Sequence, residues 1–109
     1  MALIHEAGAI PDSARITLNL ESRVRPDIAE QVFAWLDADP RRLDVQWRSH
    51  PSKPLVWAAD EDPQRQWSPT KLRNEIFERA VGEPGAFSAA DAWQYDGRSL
   101  YWVAQDYVE

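Results

Sequence analysis

The residues best suited to hold a ligand lie in one run, Arg65-Gln66-Trp67-Ser68-Pro69-Thr70-Lys71-Leu72-Arg73. A serine followed by a proline marks the first turn of a helix. The hydroxyl of Ser68 accepts a backbone N–H that the helix itself leaves unpaired, and Pro69 lacks only a donor that this position does not use. The same turn carries the positive end of the helix dipole, which attracts phosphate. Thr70 adds a hydroxyl, and Arg65, Lys71 and Arg73 add charge around it. Two readings stand. Ser68 and Pro69 suffice for a capped helix with no ligand. The surrounding cations and Trp67 make the same turn a phosphate grip.

A second group of cations precedes it. Arg41, Arg42, Arg48 and Lys53 stand against Asp44 alone in residues 41–57. Ten of the twelve basic residues are Arg, which suits planar contacts to phosphate or carboxylate but also follows from genome composition. The chain as a whole carries −6, so its overall field repels nucleic acid and anionic lipid. Residues 41–82 run against that trend, with eight basic groups to six acids.

Enzymatic chemistry is poorly represented. There is no cysteine, which removes thiol nucleophiles, zinc-thiolate sites and disulfide frameworks. His5 and His50 have no metal-binding partner at useful spacing, and no nucleophile elbow, Walker loop or dinucleotide fingerprint is present. Asp60-Glu61-Asp62 lacks the spaced ligands and glycine of a calcium loop and reads as a solvated turn. No catalytic residue, metal or cofactor is expected, and His50 with nearby acids is the residual enzymatic reading.

The elements that must position these residues follow from periodicity. Residues 3–8 read as a short helix closed by Gly8. In 15–20, Ile16, Leu18 and Leu20 alternate with polar residues, the signature of a half-buried strand. Ile28, Ala29, Val32, Phe33 and Leu36 recur at helical spacing over 26–38, with Pro40 as the stop. Leu43, Val45 and Trp47 read as a second strand, and Leu55 to Trp57 as a third after a loop with two prolines. Leu72, Ile76, Phe77, Ala80 and Val81 form the stripe of a helix that starts at Ser68 and closes at Gly82. Asp96-Gly97 between two β-prone runs predicts a hairpin. Trp47, Trp93 and Trp102 lie on alternating strand faces with other apolar residues and are assigned to the core. Trp67 is the tryptophan best placed for partial exposure.

This order, α-β-α-β-β-α-β-β, predicts one α+β domain over 1–109, a mostly antiparallel sheet with about three helices packed on one face. No apolar run reaches membrane-span length. The N-terminus has no basic region ahead of its apolar stretch, so no signal peptide and no membrane partner are expected. A cytoplasmic location is the corresponding expectation.

LIHEAGAIPDSARITL, QWSPTKL and AWQYDGRSLYWV together resemble the opening, the helix start and the closing hairpin of the restriction-enzyme and adenine-methylase-associated (RAMA) domains. The resemblance implies a DNA-binding domain that senses modified bases. It points to Trp67, Ser68, Thr70 and Lys71, and to Trp93 and Tyr95 in the hairpin. Two functions are therefore expected as alternatives. One is a non-catalytic DNA reader using Arg65, Trp67, Ser68, Thr70, Lys71 and Arg73, with Arg41, Arg42, Arg48 and Lys53 as positioning contacts. The other is an acidic protein-interaction module that docks a partner through exposed tryptophan.

Overall fold

The computed structural model describes residues 4, 8, 10–20, 25–50, 52–62, 64–82 and 92–105. The helix expected over 3–8 lies outside these, apart from the buried Ile4 and from Gly8, whose φ of 62° is the left-handed geometry of a helix-closing glycine.

Among the described residues, five strands form one antiparallel sheet. In chain order they are β1 (Arg15–Leu18), β2 (Val45–Trp47), β3 (Leu55–Trp57), β4 (Trp93–Tyr95) and β5 (Arg98–Ser99). Their spatial order is β3-β2-β1-β4-β5, so β1 is central. It pairs with β2 through Arg15 and Ile16, and with β4 through Thr17 and Leu18. Directly opposed residues share a face, so Ile16, Val45 and Trp57 form one buried row, with Leu18 and Trp93 continuing it. Arg15, Thr17 and Gln46 point to the other face and are exposed. The fold is thus α+β, as the sequence predicts.

The helices whose bounds lie among the described residues are α1 (Pro26–Asp37), α2 (Pro40–Leu43), α3 (Pro69–Val81) and α4 (Leu100–Gln105). α1 buries Val32 and Leu36, and α3 buries Leu72, Ile76 and Phe77, all within the same cluster as Ile16, Val45, Trp57 and Trp93. One apolar layer between α1, α3 and the sheet is the core.

Two elements differ from the sequence reading. Pro40 does not merely stop a helix. The Asp39 carboxylate accepts the Arg41 N–H at 3.0 Å, and Pro40 occupies the first position of the short helix α2. Leu43 therefore belongs to α2 and not to the second strand. The second difference is in the closing hairpin. Its turn is as expected, with φ of 52° at Asp96 and 79° at Gly97, the geometry that two-residue hairpins favour. The second strand, however, lasts only through Ser99. The Ser99 hydroxyl then accepts the Trp102 N–H at 3.3 Å, and the chain coils into α4. Helical spacing buries Leu100 and Val103 and turns Tyr101 and Trp102 outward. The assignment of Trp102 to the core is corrected accordingly. Alternation gave way to a spacing of three.

Candidate functional site

The start of α3 is held from two sides. Leu55 and Trp67 exchange backbone hydrogen bonds of 3.1 and 2.7 Å, which adds residue 67 to the edge of β3. On the sheet side, the buried Trp93 indole N–H donates to the Pro69 carbonyl at 3.0 Å. Ser68 acts as the cap, its hydroxyl accepting the Lys71 N–H at 3.2 Å. Its carbonyl takes the Leu72 N–H. Pro69 has no N–H to offer. Thr70 thus keeps the one first-turn amide without a partner among the described residues, and the turn offers a narrower grip than a row of bare amides.

Trp67 is half-buried. Its indole N–H donates to the Asp60 carboxylate at 2.7 Å. The Arg65 guanidinium lies 5.3 Å from the Trp67 ring centre and 3.7 Å from the same carboxylate. The Asp60 side chain is only 4% exposed, so this trio is an internal tie that pairs a shielded charge, as shielded charges require. Arg73 is also turned inward. It is 8% exposed, its guanidinium donates to the Asn74 amide oxygen at 2.9 and 3.1 Å, and burial draws its pKa below the ordinary arginine value.

The loop between β2 and β3 comes to the same end of the molecule. The Gln66 amide donates to the Lys53 carbonyl at 3.1 Å and the Arg48 carbonyl at 3.3 Å. Nδ1 of His50 accepts the N–H groups of Ser52 and Lys53 at 3.0 and 2.9 Å, which fixes the loop's shape. That is a structural use for the residue singled out as a residual base. The backbone of Arg48 and Lys53 is thereby tied to Gln66, just ahead of α3, and the side chains of Arg48, Lys53 and Lys71 are exposed. The Asp12 carboxylate accepts the Ser49 N–H at 2.9 Å.

Arg41 and Arg42 do not join them. They precede β2 and Arg48 follows it, and the strand between is roughly 10 Å long at about 3.3 Å per residue. Arg41 makes a two-point contact with the Asp39 carboxylate at 2.9 and 3.3 Å, which holds the Asp39 pKa down to about 2. Arg42 lies 4.2 Å over the Trp35 ring and donates to the Trp35 carbonyl at 2.8 Å. The structure thus divides the ten candidate residues. The side chains of Arg48, Lys53, Thr70 and Lys71 are exposed and Ser68 caps α3, while Arg41, Arg42, Arg65, Trp67 and Arg73 are engaged within the protein.

A second surface escaped the sequence reading. Trp102 is 59% exposed and Tyr101 45% exposed. Their rings meet edge to face, 5.4 Å between centres. Trp102 borders a shallow groove of about 510 Å³ lined also by Gln94, Gly97, Arg98 and Ser99. A serine three residues before the tryptophan was the available signal, since it is also a helix-start signature. Among the described residues no three metal-binding side chains gather, and no helix is long and apolar enough to cross a membrane. Compared with known proteins, the chain matches no family model, no curated protein and no solved structure.

Proposed function

We propose that the chain is a non-catalytic binding domain that docks a protein partner on its Tyr101–Trp102 face. One observation carries this reading. Trp47, Trp57 and Trp93 are wholly buried, whereas Trp102 stands in water beside a second aromatic ring and a polar groove. Large aromatic anchors rimmed by polar groups dominate the energetics of protein interfaces. The charge of −6 favours a partner with a basic surface. The test is a complex isolated with the wild-type chain and sized in solution. Trp102→Ala should lose it while keeping the circular dichroism of the wild type. A complex unaffected by that change sinks the reading.

A second reading is favoured by the Gln66 contacts, which tie the backbone of Arg48 and Lys53 to the segment leading into α3, where Lys71 is exposed. In it the chain grips DNA phosphate there, as a resemblance to RAMA domains would imply. Three phosphate contacts give a slope of roughly −3 in log affinity against log salt. Lys71→Glu should then weaken binding to every DNA sequence alike. Binding that ignores both salt and Lys71 excludes it.

A further inference from the structure

A cavity of about 120 Å³ opens where the central strand changes neighbours. β1 is paired with β2 only as far as Ile16 and with β4 from Thr17 onward. Leu18 therefore lies beyond the end of β2, where α2 takes the place of a strand. Ile16, Leu18, Val45 and Trp93 form the sheet side of the cavity. Phe33, Leu36, Leu43 and Ile76 close it from the helices. Phe33, Leu18 and Leu43 are partly exposed, so the cavity reaches the surface between α1 and α2.

Its chemistry is one-sided. The interior is aliphatic and aromatic, and a site of that kind excludes water and accepts apolar molecules. An engineered cavity of about 150 Å³ with similar lining takes up benzene, so this one has the size of a single ring. Arg15 borders it but turns its side chain to the other face of the sheet, so Arg42 is the charged side chain on this face, and no carboxylate lines it among the described residues. Arg42 donates Nη1 to the Trp35 carbonyl and is oriented by the ring of Trp35. Its Nε and Nη2 have no protein partner among the described residues.

We propose that this cavity binds a small monocyclic carboxylate, with the ring among Leu36, Val45, Ile76 and Trp93 and the carboxylate at Arg42. The site is separate from both the Trp102 face and the start of α3, and it does not depend on either reading of function. A planar guanidinium held by a stacked ring suits two-point recognition of a carboxylate. The ring replaces the missing packing of the cavity wall.

The test is a titration of the whole chain with benzoate, followed by amide shifts in NMR spectra. Saturable shifts at Leu18, Phe33 and Leu43 are expected. Benzyl alcohol, the same ring without the charge, should bind about tenfold more weakly, the factor expected of one lost charge-assisted contact. Arg42→Gln should remove that preference. Should that variant fail to fold, the comparison of the two ligands on the wild type still decides. Absence of saturable shifts at these residues overturns the proposal, and so does equal affinity for the two ligands.

Discussion

At the scale of single residues, much of the chain's charge is engaged in holding its own backbone and rings. Arg41 and Asp39 illustrate the sign of the resulting pH dependence. The hydrogen bond from Arg41 lowers the Asp39 pKa from 3.8 to about 2 in the folded chain. The contribution to stability is therefore complete above the unfolded value and is lost as pH falls through about 2. Following the Asp39 carboxyl by NMR should give a midpoint near 2, and Arg41→Ala should move it back up toward 3.8. Ser68 has a different role. Its hydroxyl satisfies an amide at the head of α3, and Ser68→Ala should cost roughly 1 kcal/mol in chemical denaturation. Ser68→Asp should retain most of that stability.

Among the elements, α3 was the most legible in sequence. Ser68 and Pro69 at one end and Gly82 at the other left little choice, and Gly82 takes the left-handed φ of 81°. The alternating residues of β1 and the Asp96-Gly97 turn were equally plain, because both depend on neighbours close in sequence. The start of α4 was not. Leu100-Tyr101-Trp102-Val103 fits a strand by composition, and only the Ser99 cap and the burial of Leu100 with Val103 decide for a helix. The site was legible in part. Charge counting identified Arg65 and Arg73, but their partners Asp60 and Asn74 become visible only when the chain is folded. The two tryptophans of the closing segment make a direct contrast. Trp93→Ala should cost roughly 3–5 kcal/mol, as large aromatic losses from a core do. Trp102→Ala should change stability by no more than about 0.5 kcal/mol. Urea melts of the two variants would check both values.

For the molecule as a whole, one apolar layer serves the sheet and both long helices, so unfolding should be a single transition. Tryptophan fluorescence and far-ultraviolet circular dichroism should give coincident midpoints, and Ile16→Val should shift both together. The placement of β1 has a consequence for synthesis. Its partner β2 follows within thirty residues, but its other partner, β4, begins only at Trp93 and leaves the ribosome well after it. Until then the Thr17–Leu18 side of the strand is an open edge, the kind of surface that recruits other chains. A chain ending at Gly82 should accordingly form higher-order aggregates on expression, and supplying residues 92–105 as a separate peptide should reduce them.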